Sequence, residues 1–414
     1  MNTKNLPEKN TIIIFLVFSL GYFLSTLLRA IPATISPFLT DEFNISASEL
    51  GLLGGAYFIG FALMQLPLGY LLDKYGPKLI LCTLLIFAIT GIILFSLANE
   101  FIYLLLGRFL IGIGVSACLM APLTGYRKWF KEIYQYRANS WMLMIGSIGM
   151  LASTIPVYYL LSIYGWRIVF FGISLLVLIC ILLIAKKTPS WKNHRNNKNK
   201  IYSLSIIWKN KYFQSLVPIA LFNVAGFYSM ITLWAGPWMN KISGYGPEKT
   251  AISLFIINIL LILGYLIWGY LSPKILQRGI NINQILTRGI PFTLIFLLLI
   301  IISGKHAGLL LWSGYFISCI IFSITLPTVT LTFPSNQAGK VLTLFNLLFF
   351  IGIFILQWGI GVIIDLMQKI GYLESYGFRF AILILLITNT LSYIYFLIKN
   401  KNNSNFKYYF FDTL

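Results

Sequence analysis

Long apolar runs separated by short polar segments dominate the chain. Most of these runs reach the roughly 20 residues that an α-helix needs to cross a bilayer. They lack the strict alternation of membrane β-strands, so they predict helices. The predicted spans are residues 12–39, 49–72, 78–98, 101–125, 139–162, 166–185, 213–238, 250–272, 287–303, 307–327, 340–364 and 378–398. The pattern therefore predicts an all-α membrane protein with twelve transmembrane helices.

One long polar segment divides these spans into two sets of six. It contains the basic run from Lys192 to Lys200, and we interpret it as a flexible cytoplasmic linker. The predicted domains are an N-terminal six-helix bundle at 1–185, the linker at 186–211, a C-terminal six-helix bundle at 212–399 and a cytoplasmic tail at 400–414.

The two halves also repeat each other. Gly69-Tyr70-Leu71 follows the second span, and Gly269-Tyr270-Leu271 follows the eighth. Repeats related by an axis along the membrane normal are typical of one class of secondary transporters. The repeat therefore predicts two pseudo-symmetric bundles.

The composition agrees with a chain that lies mostly in lipid. The chain is 58% hydrophobic and 10% charged, whereas a soluble domain is about 25% charged. Its net charge of +20 would indicate nucleic acid in a soluble protein. In a membrane protein, however, basic residues collect in cytoplasmic loops. The partners we expect are the lipid bilayer and a small molecule, with no nucleic acid.

The distribution of basic residues predicts the orientation. With the N-terminus inside, most of the 31 basic residues fall in the cytoplasmic loops. The outer loops hold only Arg167, Lys241, Lys249, Lys305, Lys369 and Arg379. This bias predicts that both termini are cytoplasmic.

Cysteines and nucleotide motifs indicate no cofactor. Cys82, Cys118, Cys180 and Cys319 each lie in an apolar run without a second ligand at metal-binding spacing. No phosphate-binding loop of the G-x-x-x-x-G-K-[ST] type occurs. We therefore expect no metal, no cofactor, no enzymatic activity and no ATP-driven transport.

Two motifs point to a family. Gly69, Asp73, Lys74, Gly76 and Lys78 fit G-x-x-x-D-[RK]-x-G-[RK]-[RK] between the second and third spans, a pattern from which Pro77 departs. Arg108, Gly112 and Gly114 fit R-x-x-x-G-x-G in the fourth span. With six plus six helices, the whole chain resembles the major facilitator superfamily of secondary transporters.

Three shorter segments resemble one branch of that family, the bacterial organic-anion and sugar-phosphate permeases. They are Arg29-Ala30-Ile31-Pro32, Gln65-Leu66-Pro67-Leu68-Gly69 and Leu233-Trp234-Ala235-Gly236-Pro237-Trp238. The adjacent glycine and proline that drug antiporters carry on helix five are missing. The resemblance implies a permease of the bacterial inner membrane, either symporter or antiporter, and we expect a monomer.

The resemblance also implies that the first motif is a gate latch. In the family, the carboxylate at the position of Asp73 faces the N-terminus of helix eleven, where the helix dipole stabilises an anion by about 0.3–2 kcal/mol. Gly69 would let a neighbouring helix approach closely. In the second repeat, Pro273 stands where Asp73 stands in the first, so we predict one latch rather than two. A solvated basic loop is the alternative. The predicted gating set is Gly69, Asp73, Lys74, Gly76, Lys78, Arg108 and Gly112.

Arg29, within the first span, is the main candidate for a substrate contact. A charge deep in a bilayer costs at least about 2.5–3.5 kcal/mol, so it must face a cavity or a partner. It shares a helical face with Tyr22, Thr26, Ala33 and Ser36, on the helix that lines the central cavity in the family. Its planar fork suits a carboxylate or phosphate. The alternative is an arginine that extends to water at the outer surface.

Helices seven and eleven carry further polar faces. Asn223, Phe227, Met230 and Trp234 share one face, and Asn346, Phe350, Ile353, Gln357 and Gly361 share another. Amides in lipid need partners, so both faces should point into the bundle. Contact with substrate and contact with a neighbouring helix both remain open. The predicted binding set is Arg29, Tyr22, Thr26, Asn223, Trp234, Asn346 and Gln357.

Acidic residues constrain the coupling mechanism. None of the 11 acids lies in the middle of a span, whereas proton-coupled pumps relay protons through buried acids or histidines. Exchange, facilitated movement and coupling through edge groups such as Glu49 or Asp365 remain open. The sequence thus predicts a secondary active or facilitative transporter of a small, polar, anionic organic solute by alternating access. A transporter-like sensor and an efflux carrier of the same fold are the alternatives.

Overall fold

The computed structural model describes residues 8–130, 132–189, 204–333 and 338–401, and every regular element in those ranges is helical. Most of the predicted linker and nearly all of the predicted tail lie outside the described residues.

The described helices follow the predicted spans. The N-terminal half contains α1 (Glu8–Ala30), α2 (Pro32–Phe43), α3 (Ala47–Tyr75), α4 (Pro77–Ser96), α5 (Phe101–Val115), α6 (Met120–Trp129), α7 (Glu132–Ala152) and α8 (Ile155–Lys187). The C-terminal half contains α9 (Leu204–Lys209), α10 (Lys211–Pro218), α11 (Ala225–Ser229), α12 (Ala235–Pro237), α13 (Pro247–Gln277), α14 (Ile282–Ser303), α15 (Leu309–Ser318), α16 (Thr325–Leu331), α17 (Ala338–Lys369) and α18 (Glu374–Lys401). Three π-helical segments, Ile219–Val224, Met230–Trp234 and Trp238–Ile242, continue the seventh pass, and 3₁₀ segments Gly304–His306 and Cys319–Ile324 follow α14 and α15.

Eleven described segments are long and apolar enough to cross a membrane, although the sequence predicts twelve. The difference lies in α8, whose backbone leaves the helical conformation at Gly165, with φ 77°. Arg167, just after this glycine, donates to the carbonyl beyond the end of α4, and Thr188 accepts from Lys78 at the beginning of α4. Before the glycine, residues 142–153 run parallel to α1 and α2, because Ser19 bonds to Met142 and Thr34 bonds to Ser153. The chain therefore reverses at Gly165 and makes the twelve predicted passes.

Two loops serve to name the two ends of the helix bundle. We call the end that carries residues 44–46 the loop-44 face, and the end that carries Gly76 the loop-76 face. Gly76 has φ 81°, a conformation that glycine adopts without steric cost. Pro77, which departs from the family motif, occupies the first position of α4, where its missing N–H costs nothing.

Glycines let α5 pack tightly inside the N-terminal half. A methyl group added at Gly112 would overlap the carbonyl of Tyr57 on α3, and one added at Gly114 would overlap the backbone of Ala88 on α4. Small residues let membrane helices approach to backbone contact. The two glycines of the R-x-x-x-G-x-G motif therefore fix the position of Arg108 relative to the neighbouring helices.

The two halves contact each other on the loop-44 side. A methyl group at Gly51 of α3 would overlap the carbonyl of Gln357 on α17, and one at Gly361 would overlap the carbonyl of Ala47. Further from that face, the rings of Phe61 and Phe350 are 4.5 Å apart. The structure is therefore closed on the loop-44 side.

The loop-76 side shows no such close approach at the repeated glycines. A methyl group added at Gly69 or Gly269 meets no described atom within 4 Å. The close approach predicted at Gly69 is thus not made by any described residue in this conformation. Asp73 interacts electrostatically with Arg127 of α6. Its contact with the beginning of α17 stays a prediction, because residues 334–337 lie outside the described part.

Candidate functional site

Arg29 lies where helices of both halves meet. Its Cζ is 5.3 Å from the ring centre of Phe61 on α3 and 5.9 Å from that of Phe350 on α17. The guanidinium also interacts electrostatically with Tyr57 and Tyr22. The side chain is half-buried, and its Nε makes no hydrogen bond to a described residue.

No carboxylate neutralises Arg29 within the described ranges. The two ion pairs found there join Arg167 to Glu42 and Lys241 to Glu374, near the loop-44 face. Aromatic faces stabilise a cation by about 0.5–2 kcal/mol, which does not replace an anionic partner in a desolvated site. Arg29 therefore has no anionic partner among the described residues.

Tyrosine hydroxyls approach Arg29 from both halves. Tyr22 on α1 and Tyr57 on α3 belong to the N-terminal half, and Tyr228 on α11 belongs to the C-terminal half. Tyr57 donates to the carbonyl of Ser25 at 3.2 Å, and Tyr265 of α13 interacts with Tyr228. Because a hydroxyl donates and accepts, this set suits a solute with its own hydroxyl groups.

The sequence-based prediction missed the tyrosines of α3, α11 and α13. A signal existed on α3, where Tyr57, Phe61 and Gln65 recur every four residues and so share one helical face. No comparable spacing marks Tyr228 or Tyr265, which reach the site through the packing of α11 and α13.

Asn346 remains a candidate at the site. It lies one helical turn before Phe350 on α17, and its side chain is half-buried. Its amide makes no hydrogen bond to a residue in the described ranges. Since residues four apart share a helical face, Asn346 extends the site from Phe350 towards the loop-76 face.

Thr26 and Asn223 do not join this site. Thr26 is buried, and its hydroxyl donates to the carbonyl of Phe23 at 3.0 Å in its own helix. The Asn223 amide is buried and donates to Ser392 Oγ on α18 at 2.6 Å. The Thr26 hydroxyl is thus bonded within α1 and the Asn223 amide nitrogen is bonded to α18, while Asn223 Oδ1 has no hydrogen-bond partner in the described part.

Trp234 and Gln357 serve the contact between helices near the loop-44 face. Trp234 Nε1 donates to the Gln357 carbonyl at 3.1 Å, and the Gln357 amide donates to Thr232 Oγ1 at 2.9 Å. Gln357 also packs against Gly54 of α3. Both predicted binding residues therefore hold α17 against the seventh pass, and Gln357, whose Oε1 has no hydrogen-bond partner in the described part, also contacts the N-terminal half.

Lys74 and Lys78, two of the predicted gating residues, contact residues of the N-terminal half. Lys74 Nζ lies 4.9 Å from the ring centre of Tyr75, and Lys78 donates to the carbonyl of Thr188 at 3.0 Å. Neither lysine forms an ion pair with a described residue. Lys78 therefore ties the beginning of α4 to the end of α8.

Arg108 supports the helix that carries Arg29. Pro32 has no N–H, so the carbonyl of Leu28, four residues earlier, lacks its usual helical donor. Arg108 Nη1 donates to this carbonyl at 2.8 Å, while its Cζ lies 5.2 Å from the Tyr57 ring centre. Arg108 is only 2% exposed, and its Nε and Nη2 have no hydrogen-bond partner in the described part. It thus replaces the missing donor next to Arg29.

Metal-ligating side chains do not cluster in the described residues. No group of three or more His, Cys, Asp or Glu side chains could hold a metal ion there. The described side chains around Arg29 bring together one cation, tyrosine hydroxyls and aromatic faces, and the Cys118 thiol also interacts with the guanidinium.

Known proteins resemble this chain over most of its length. The sequence model of the Major Facilitator Superfamily matches residues 18–357. The hexuronate transporter of Escherichia coli (strain K12) is 24% identical over 298 residues, which cover 67% of this chain and 68% of that protein. The galacturonate transporter of Dickeya chrysanthemi is 25% identical over 333 residues, which cover 75% of this chain and 94% of that protein.

Solved structures share this fold. The crystal structure of a bacterial homologue of the human lysosomal transporter Spinster, inward-facing and occupied, matches with a TM-score of 0.76 and 16% identity, over 96% of this chain and 98% of that one. With its apolar helices, this chain is a multi-pass integral membrane protein. It belongs to the major facilitator superfamily, whose members are membrane transporters and not enzymes.

Proposed function

We propose that this chain moves a small carboxylated, hydroxylated solute of the sugar-acid type across the membrane by alternating access. One observation carries the proposal: the half-buried guanidinium of Arg29 lies between aromatic rings of both halves, without a carboxylate partner among the described residues. A site shared by two bundles suits a mechanism in which the bundles rock around it.

The chemistry of the site favours this class of solute. A guanidinium binds a carboxylate through two parallel hydrogen bonds. The hydroxyls of Tyr22, Tyr57 and Tyr228 can bond to the hydroxyls of the solute, while Phe61 and Phe350 offer apolar faces to its carbon skeleton. The relatives named for hexuronate and galacturonate carry solutes of this kind.

The orientation and domain limits belong to the same proposal. We infer that the loop-76 face is cytoplasmic, because basic residues concentrate in the loops on that side. The proposed units are the bundles 1–185 and 212–399, the linker 186–211 and the tail 400–414, in a monomer of a bacterial inner membrane. In this orientation, the structure is closed towards the outside.

Flux measurements test the proposed function. Purified protein in proteoliposomes should exchange labelled galacturonate for internal unlabelled galacturonate, and galactose at the same concentration should not compete. Binding of galacturonate without exchange would favour the sensor alternative. Exchange of galactose alone would contradict an anionic substrate. Exchange driven only out of the proteoliposomes under an imposed gradient would favour the efflux alternative.

Substituting Arg108 by methionine should lower transport more than stability. Leu28 then loses its donor, at a cost of about 1–3 kcal/mol, but the desolvation penalty of a buried guanidinium, several kcal/mol, is relieved. We expect a small change in Tm and a fall of about tenfold in uptake, because the helix that carries Arg29 is no longer held at Leu28. Uptake rates and thermal unfolding in detergent measure the two effects.

A second substitution isolates the role of the Leu28 carbonyl. Pro32→Ala restores a backbone N–H that can bond to Leu28, so the double variant Arg108→Met/Pro32→Ala should recover part of the lost uptake. Pro32→Ala alone is the control for the loss of the proline. A double variant no more active than Arg108→Met would show that Arg108 acts in another way.

Asp73→Asn should weaken the state that is closed at the loop-76 face. Loss of the charge removes a helix-dipole interaction of up to about 2 kcal/mol, or about 30-fold in the ratio of closed to open. Spin labels at Tyr70 and Tyr270, exposed and equivalent in the two repeats, would measure the separation. Pro273→Ala is the matched control, because proline carries no charge for a dipole. Equal shifts in both variants would contradict a single latch.

A further inference from the structure

A carboxylate of one half caps the beginning of a helix in the other half. Asp365 lies near the end of α17, where its Oδ1 accepts the N–H of Ala47 at 3.0 Å and its Oδ2 accepts the N–H of Ser48 at 2.8 Å. We propose that these two bonds form a latch that holds the loop-44 face closed and breaks each time this face opens. The inference rests on the alternating access proposed above.

The N-terminal half leaves these two donors open. The first N–H groups of an α-helix have no partner within the helix. At α3, a capping box satisfies two nearby donors, because Ser46 Oγ accepts the Glu49 N–H at 3.2 Å and the Glu49 carboxylate accepts the Ser46 N–H at 2.8 Å. The N–H groups of Ala47 and Ser48 remain, and Asp365 of the other half takes both.

The helix backbones are shaped for this contact. Gly361 precedes Asp365 by four residues, so both lie on one face of α17. A side chain at Gly361 would overlap the Ala47 carbonyl, so glycine lets α17 bring its carboxylate to the start of α3. The bonds are charge-assisted, and the positive end of the α3 dipole favours the anion.

The contact mirrors the one predicted for Asp73. There, an acid at the end of α3 would face the beginning of α17 at the loop-76 face. Here, an acid near the end of α17 binds the beginning of α3 at the loop-44 face. The same pair of helices thus carries an acid at each end, and the two contacts favour opposite states of the transport cycle.

The separation of the halves at the loop-44 face tests the latch. Spin labels at Ile163 and Ile370, exposed residues on either half at this face, report it by pulsed electron resonance in full-length protein without its native cysteines. Asp365→Asn should raise the ratio of open to closed protein about tenfold, because the anion at the helix dipole is lost.

A second variant removes a donor and keeps the acid. Proline is well tolerated at the first position of a helix, so Ala47→Pro deletes one of the two N–H groups while preserving α3. Ala47→Pro should also raise the ratio of open to closed protein at the loop-44 face. Since both variants break the same contact, their combined effect should be smaller than the product of the single effects. Should Asp365→Asn fail to fold, Ala47→Pro decides alone.

Glu42→Gln is the matched control. This acid also lies near the loop-44 face, but it bonds to Trp166 and Arg167 in its own half, so its loss should leave the ratio unchanged. Equal shifts for Glu42→Gln and Asp365→Asn would indicate a general charge effect and overturn the latch. An unchanged ratio in Asp365→Asn and Ala47→Pro, while the wild type still opens and exchanges solute, would overturn the latch alone. A wild type that never opens at this face would overturn alternating access as well.

Discussion

Replacing Arg29 with alanine should abolish carboxylate transport while the protein stays folded. Truncating one partner of a buried charge pair costs about 2–5 kcal/mol, which corresponds to roughly 30-fold to several-thousand-fold in affinity. The apo protein gains from the change, because an unpaired guanidinium no longer has to be desolvated. Concentration-dependent uptake of galacturonate into proteoliposomes measures the loss.

Control variants separate the hydrogen-bonding geometry of the Arg29 guanidinium from its positive charge. Arg29→Lys keeps the cation but loses the two parallel hydrogen bonds, so it should retain intermediate affinity. Arg278→Ala removes an exposed arginine after α13 and should leave uptake unchanged. In thermal unfolding, a ligand at a hundred times its Kd stabilises the wild type by about 2.7 kcal/mol, and this gain should vanish in Arg29→Ala. Unchanged transport by Arg29→Ala would remove Arg29 from the site.

Replacing Gly361 with alanine should keep the loop-44 face from closing. The added methyl group would overlap the Ala47 carbonyl, and a backbone atom cannot move aside as a side chain can. Overpacking of this kind costs about 1–3 kcal/mol, or roughly 5- to 150-fold against the closed state. Solute exchange requires closure at each face in turn, so uptake should fall by a similar factor.

Gly359→Ala provides the control on the same helix. Two residues before Gly361, a methyl group at Gly359 meets no described atom within 4 Å, and alanine favours a helix over glycine by about 0.5–1 kcal/mol. This variant should transport normally and be slightly more stable. Labels at Ile163 and Ile370 would show an open loop-44 face in Gly361→Ala only. Normal closure and normal uptake in Gly361→Ala would contradict this account of the interface.

The twelve passes follow from sequence because lipid acts on each segment separately. Any stretch of about 20 apolar residues satisfies its own backbone as a helix, whatever its neighbours are. The special role of Arg29 was predictable for the same reason, since a charged side chain inside an apolar helix needs polar neighbours whichever helices pack around it. The break at Gly165 was also predicted, between the spans 139–162 and 166–185, and the contacts of Arg167 and Thr188 confirm that the chain reverses there.

Partner choice was not predictable, because it depends on which helices meet. An amide in lipid must find a partner, and sequence alone left Asn223 and Gln357 equally suited to a solute or to another helix. In the packed structure, Asn223 donates a hydrogen bond to Ser392 and Gln357 donates one to Thr232. Packing also brought Tyr228 and Phe350, far apart in sequence from Arg29, to the same site.

Sequence by itself thus determined the helices, the two halves and the presence of a cation inside the first span. The role of Asp365 came only from the tertiary structure. Every helix start leaves N–H groups unpaired, and nothing local to α3 says what will fill them after its capping box has been formed. The close approach of α17 at Gly361 decides it, by placing a carboxylate of the other half on Ala47 and Ser48.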